Sequence, residues 1–295
     1  MARGKKPTLL IDGDLLMFRA ATLSEFEECW DEEEDKWTLS CDHKLAKEKF
    51  RAYVASIRKK LKGGKLVIAV SDKQNFRLEI NESYKGNRKK VRKPVGFRRL
   101  LQWIFDHAEE EGWQAISKPK LEADDVIGIL LTKPRKPSQA PVIAVTDDKD
   151  FLQLPGTVAR IGIGDRQLEV FEISPDEADR FFYAQCIAGD AVDGFPGAPG
   201  FGIETAFKLL DKGEAVELYD HTLQSGPREG QVVQRKRERP ARDPWDTVVS
   251  CYEVSGLTEE DALLNARMAR ILRYSDYDTD KGEPILWQPS QENTA

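Results

Sequence analysis

The residues in this chain best suited to chemistry are carboxylates set in short, dense groups. Glu122-Ala-Asp-Asp125 precedes an apolar helical run, Asp148-Lys-Asp150 follows a β-branched run, and Asp190-Ala-Val-Asp193 follows a helical segment ending near Ile187. At 100° per residue, Glu122 and Asp125 share nearly one face of a first helical turn that also carries Asp124. A helix N-terminus favours acids through its dipole, so each group alone also fits a capped helix or a polar turn. Three acids in one turn exceed what a cap needs. Asp12 and Asp72 close two further apolar runs and would join these groups if the runs were neighbouring strands. Several carboxylates within a few ångströms stay ionised together only if cations answer them. Oxygen donors without histidine or cysteine select Mg²⁺ or Mn²⁺ over zinc. One octahedral Mg²⁺ usually takes only one or two carboxylates, so two ions are expected, a pairing suited to in-line displacement at phosphorus. The implied reaction is phosphodiester hydrolysis.

The elements that must position these groups follow from periodicity. Thr8-Leu-Leu-Ile11, Leu66-Val-Ile-Ala-Val70 and Pro141-Val-Ile-Ala-Val-Thr146 are continuous apolar runs, as expected of strands covered on both faces. Segments with helical spacing, His43 to Leu61, Pro94 to Glu111 and Glu122 to Leu131, lie between them. Alternation of this kind implies an α/β fold with a parallel sheet flanked by helices. Ligands of open parallel sheets bind beyond the carboxyl ends of the strands, where Asp12, Asp72 and Asp148 would gather. From Ser174 onward the pattern is helical, at Pro175 to Ile187, Ile203 to Asp211 and Glu259 to Tyr274. A division into residues 1–173 and 174–295 follows.

Charge is distributed unevenly. Lys and Arg number 45 against 51 Asp and Glu, a net charge of −6 that argues against a polyanionic partner until the positions are considered. Glu25 to Asp35 holds eight carboxylates in eleven residues with Phe26, Cys29 and Trp30 among them. It reads as a solvated or flexible segment, or as a partner contact or DNA-excluding wall. Lys85 to Arg99 is its opposite, with Lys85, Arg88, Lys89, Lys90, Arg92, Lys93, Arg98 and Arg99, no acid, and Tyr84 at its start. Cations without counter-charges repel one another unless an anion answers them, which points to nucleic acid over a merely solvated face. Ser225 to Asp243 is polar and carries Arg228, Arg235, Lys236, Arg237, Arg239 and Arg242. It is expected to be a mobile insertion or loop, either a solvated linker or a second phosphate contact. Four scattered cysteines without CxxC spacing support neither a disulfide framework nor structural zinc, and no apolar run approaches the roughly 20 residues of a membrane span. A soluble cytoplasmic protein is expected.

Gly197, Gly200 and Gly202 form GxxGxG before the helix near Ile203. No buried strand immediately precedes them, which disfavours a dinucleotide site. A helix-turn-helix hairpin is the better reading, its glycines letting backbone approach a phosphate and its following amides binding the anion without reading sequence.

In combination and order these motifs resemble the 5′-nuclease (flap endonuclease) superfamily, in particular the 5′→3′ exonucleases of short-tailed, T-odd-type bacteriophages. The resemblance runs from about Thr8 to Trp287 through Leu10-Ile-Asp-Gly-Asp14, Tyr84-Lys-Gly-Asn-Arg88, Lys93-Pro-Val-Gly96, Leu121-Glu-Ala-Asp-Asp-Val126, Asp148-Lys-Asp-Phe151, Gly189-Asp-Ala-Val-Asp193, Gly197 to Gly202 and Met268-Ala-Arg-Ile-Leu-Arg273. It implies a PIN-like catalytic core, a helical arch over residues 83–111, and a C-terminal helix-hairpin of the H3TH type over residues 190–211. By this resemblance Asp12, Asp72, Glu122 and Asp124 hold or orient one metal, directly or through water, and Asp125, Asp148, Asp150, Asp190 and Asp193 serve the second. Asp147 is a neighbour of the ligands. Lys85 contacts the scissile phosphate, Tyr84 stacks on a terminal base, and Arg88 takes a phosphate. Lys89, Lys90, Arg92, Lys93, Gly197, Gly200 and Gly202 contact DNA, and backbone carbonyls of the hairpin hold K⁺. The implied activity is exonucleolytic hydrolysis from the 5′ end of duplex DNA, with RNA-DNA hybrids, flaps and viral replication proteins as further partners. The alternatives are a flap endonuclease, a non-catalytic DNA-binding module and an acidic cation-buffering protein. Nine of the 51 acids are then answered by metal, so the acidic balance does not exclude DNA.

Overall fold

The computed structural model describes residues 5–86, 92–161 and 167–289. The chain divides into two compact units, one of Met1–Phe76, Lys89–Pro175 and Ile271–Ile285, the other of Arg77–Arg88, Asp176–Arg270 and Leu286–Ala295.

The first unit is built on a six-stranded sheet. In chain order it comprises β1 (Thr8–Asp12), α1 (Gly13–Thr22), β2 (Glu25–Asp31), β3 (Lys36–Cys41), α2 (His43–Lys60) and β4 (Leu66–Ala69). There follow α3 (Phe76–Ile80), which runs on into the second unit, then α4 (Phe97–Asp106), β5 (Gln114–Ile116), α5 (Ala123–Thr132), β6 (Val142–Thr146), β7 (Gly156–Arg160) and β8 (Glu169–Ile173). The strand order is β5-β4-β1-β6-β7-β8, parallel throughout except for β8. Ile11 pairs in register with Ile68 on one side and Val145 on the other, and all three are buried. Continuous apolar runs thus became the three central strands, because helices cover them. Phe50 of α2, Trp103 of α4 and Trp113 meet edge to face at 5.7 to 6.3 Å and close one side of the core.

Two expectations change here. Residues 97–106, expected to belong to an arch, form α4, and its apolar stripe of Phe97, Leu100, Trp103 and Ile104 is buried in this core. A helix with a stripe at 3.6-residue spacing has to bury it. The acidic stretch, read as solvated or flexible, is ordered: residues 25–31 form strand β2, paired antiparallel with β3, and 32–35 make the turn between them, with Phe26, Trp30 and Trp37 exposed.

The second unit contains α6 (Pro175–Ala188), α7 (Ile203–Lys212), β9 (Glu214–Thr222), β10 (Val232–Pro240), α8 (Pro244–Glu253) and α9 (Glu259–Ala269). Its core gathers Phe182, Cys186, Leu209, Val248, Tyr252 and Met268. The polar stretch expected as a loop supplies β10, paired with β9 over nine residues. Cross-strand charge supports the pairing. Arg237 stands opposite Glu217 and donates to it at 2.7 Å.

Candidate active site

The carboxyl ends of β4, β1 and β6, three neighbours in the sheet, bring Asp72, Asp12 and Asp148 to one edge of the first unit. Asp12 caps α1, accepting from the Leu15 amide at 3.0 Å and from the Thr146 hydroxyl at 3.1 Å, and is only 7% exposed. Burial first, then the charges of Asp14 and Asp148, push its carboxyl up to about 7. Desolvation penalises the charged form and like charges add to that penalty.

Asp14 was not singled out from the sequence, yet it belongs to this edge. It accepts from the Ser71 amide at 3.2 Å, and burial raises its pKa while Ser71 and the Lys93 charge lower it and Glu122 raises it. The Asp12-Gly-Asp14 spacing repeats that of Asp148-Lys-Asp150 and was the available signal.

Asp72 is kept ionised. Its carboxylate accepts first from the Lys120 amide, at 2.8 Å, and from the amides of Lys73 and Gln74, which lowers its pKa. The same segment accepts the Ala123 amide on the Ser71 hydroxyl at 2.9 Å, so the end of β4 fixes the start of α5. There Glu122 is the N-cap and Asp124 lies half-buried in the first turn. Asp125 differs from both. It is fully buried, with one oxygen accepting from the Glu122 amide at 3.2 Å and the other from the Leu272 amide at 3.1 Å. Asp148 caps the short 3-10 turn Lys149–Gln153 through the Asp150 amide at 2.9 Å. Asp147 is ion-paired with Arg19 of α1.

Asp190 and Asp193 lie in the second unit. The Asp190 carboxylate accepts from the amides of Val192 and Asp193, and its backbone bridges to Phe195, closing a tight turn. Lys85 joins that turn. Its amide donates to the Asp193 carbonyl at 2.8 Å and its ammonium stands 3.6 Å from the Asp193 carboxylate, with Lys85 itself in the left-handed region at φ 53°. Holding a non-glycine residue there costs energy that the two contacts offset.

Tyr84 departs from expectation. It is 5% exposed and part of the second unit's core, with the Lys85 ammonium 5.1 Å and the Arg77 guanidinium 5.7 Å from its ring centre. Stacking on a base needs an exposed ring face, so in this conformation Tyr84 supports Lys85. The glycines also divide. A Cβ on Gly197 would meet the Gly189 amide nitrogen at 2.4 Å, and its own amide donates to Asn265, so Gly197 serves chain-to-chain packing. Gly200, at φ +86°, and Gly202, the N-cap of α7, have open space where a Cβ would stand.

Of the basic stretch, Arg88, Lys89 and Lys90 lie outside the described residues. Arg92 is held by Glu25 in a two-pronged contact of 2.7 and 2.8 Å that lowers the Glu25 pKa, whereas Lys93 faces Asp14 electrostatically and lies over Phe97.

Residues 7–173 match the family model for the 5′-3′ exonuclease, N-terminal resolvase-like domain. The chain belongs to the 5′-3′ exonuclease family. As a member it is a nuclease, a hydrolase acting on DNA. It is 34% identical to the exonuclease of Escherichia phage T7 over 96% of this chain and 94% of that one. The exodeoxyribonuclease of Enterobacteria phage T3 is 33% identical over 96% and 93%. Among solved structures, a bacteriophage T5 flap endonuclease in a pseudo-enzyme-product complex with DNA and metal ions superposes with a TM-score of 0.58 at 16% identity. That superposition covers 90% of this chain and 89% of the T5 chain, a likeness of fold. The α/β architecture with its mostly parallel sheet is therefore the family's own.

Proposed function

We propose that this member of the 5′-3′ exonuclease family removes nucleotides from the 5′ end of duplex DNA with two divalent ions, Mg²⁺ or Mn²⁺. The observation that carries the reading is Asp12, a carboxylate 7% exposed and crowded by Asp14 and Asp148. Among the described residues no group of three or more acidic, histidine or cysteine side chains forms a finished metal cage, so the fit rests on donor chemistry. That chemistry is all oxygen, without histidine or cysteine, and suits a hard cation that keeps several waters. Such ions, when bound, supply an activated water and stabilise the leaving oxygen.

The chain's own residues do the rest. Asp12, Asp72, Glu122 and Asp124 would hold one ion, with Asp14 beside them. Asp148, Asp150, Asp190 and Asp193 would serve the other. Asp125, grouped with the second ion by resemblance, has both oxygens on backbone amides and first of all holds the Glu122 turn in place. Lys85, poised on Asp193, meets the scissile phosphate and the charge that develops on it. Arg88 and Lys93 take neighbouring phosphates, Lys89, Lys90 and Arg92 add to the field, and backbone carbonyls of the 190–202 segment would accept a monovalent cation such as K⁺. Products carry 5′-phosphates, flaps and RNA-DNA hybrids are further substrates, and the setting is replication and recombination in an infected bacterial cell.

The test is one 5′-labelled duplex incubated with Mg²⁺ or with EDTA. Labelled mononucleotide appearing only with Mg²⁺ is expected, and cleavage in EDTA overturns the mechanism. The T5 neighbour is described as a flap endonuclease, which makes a flapped substrate the companion experiment. Release of an intact flap as the main product would put the endonucleolytic cut first.

A further inference from the structure

We infer that strand β10 supplies the positive charge with which the helix-hairpin holds the phosphodiester backbone of a duplex, with Lys236 as its principal contact. The inference rests on the nuclease reading above and extends it to a surface which that reading leaves without a role.

The helix-hairpin, residues 190–211, is poor in the charge that DNA requires. It contains one cation, Lys208, against Asp190, Asp193, Glu204 and Asp211. Duplex DNA presents about one negative charge per 1.7 Å of axis, and binding comes largely from neutralising those charges. Glu204 lies in the first turn of α7, beside the open Gly200 and Gly202, so a phosphate arriving there meets a like charge. A cation has to come from another element.

Strand β10 carries four cations between Arg235 and Arg239. Two of them are already engaged. Arg239 donates to Asp246 at 2.7 and 2.9 Å, and Arg237 donates to Glu217. The acid of the strand, Glu238, is answered by Lys212 at 3.0 Å. Among the described residues no ion pair engages Arg235 or Lys236, and both are exposed. Lys236 is directed to the hairpin itself. Its ammonium stands 4.7 Å over the ring of Phe201, the residue between the two open glycines. An ammonium lying on an aromatic face keeps its outer side available to an anion.

The contact fits backbone better than bases. Phe201 is covered by Lys236, and Tyr219 on the opposite face of the sheet lies under Arg237 at 5.1 Å with His221 against it at 6.1 Å. Stacking platforms need open aromatic faces. Asp220, diagonal to Lys236 on the same face, is the nearest acid of the strand pair that no described ion pair answers, and it disfavours any second anion toward the tip.

The experiment is fluorescence anisotropy of a labelled duplex in EDTA, where no divalent ion supports cleavage, at KCl from about 50 to 200 mM. Lys236→Ala should weaken binding by about three- to tenfold at low salt and lower the slope of log affinity against log salt by about one. Arg235→Ala, paired with Tyr219 on the opposite face, should change affinity and slope less than Lys236→Ala does. Glu204→Gln should act in the opposite sense and tighten binding at low salt, which a loss of folding does not mimic. Melting temperatures of the Lys236→Ala and Glu204→Gln chains should match the parent, because both side chains are exposed. Unchanged affinity and slope in Lys236→Ala, with the parent chain binding duplex, overturns this inference alone. A parent chain that binds no duplex at any of these salt concentrations overturns it as well, whereas the nuclease reading stands or falls on cleavage in Mg²⁺.

Discussion

Asp12 and Asp246 are both buried aspartates, 7% and 3% exposed, yet their surroundings push them in opposite directions. Asp246 accepts from Arg239 at 2.7 and 2.9 Å and from the side chain and amide of Arg242 at 2.8 and 3.0 Å. These bonds, Arg239 first, hold its carboxyl far below the usual carboxylate range despite burial. Asp12 receives one amide and one hydroxyl and faces two further acids. A buried carboxylate that the fold answers stabilises the fold, whereas one left short of positive charge is stabilised only by what binds there.

Substitution should separate the two. Asp12→Asn should lower cleavage of a 5′-labelled duplex by at least about 10²-fold while leaving the melting temperature unchanged or raised, because a crowded buried charge disappears. A melting temperature several degrees lower would break the contrast. Lys85→Ala should cost about 10²-fold in cleavage rate, the usual effect of one lost transition-state donor. A loss under tenfold would detach Lys85 from the phosphate.

Asp246→Asn should leave cleavage at moderate temperature near parental and cost about 2–4 kcal/mol of unfolding free energy, measured by denaturant titration. The pH dependence has a definite sign. The folded pKa of Asp246 is depressed, so its contribution is complete above the unfolded value of about 3.9 and is lost as pH falls through the lower folded value. The stability gap between parent and Asp246→Asn should therefore close on acidification below about pH 4, and a gap constant down to pH 2 would count against the Arg239–Asp246 bond. The smallest effect belongs to Glu217→Gln, where a half-buried cross-strand partner of the exposed Arg237 is worth about 0.2–1 kcal/mol.

Much of this was readable from residue order. The runs ending near Asp12, Asp72 and Asp148 announced strands covered on both faces, and parallel pairing then put their ends on one edge, as found. Asp14 escaped notice because a single Asp two positions past a strand looks like any helix-start acid until Ser71 and Glu122 are seen beside it. The Glu25–Asp31 and Val232–Pro240 strands escaped for another reason. Neither alternates apolar with polar, and each is held in a hairpin by the adjacent strand, β3 or β9, through backbone pairing and exposed cross-strand contacts that leave no hydrophobic period.

The sequence alone determined the chemistry of the donors: carboxylate groups without histidine or cysteine, a basic stretch, and a glycine turn before a helix, in the order of the 5′-3′ exonuclease family. Side-chain type is carried by each residue wherever it folds. Only the tertiary structure decided how those like-looking residues divide. It gave Asp125 to two backbone amides, Tyr84 to the core, Gly197 to chain packing and Lys236 to Phe201, because burial and partners are properties of neighbours that the linear order does not contain.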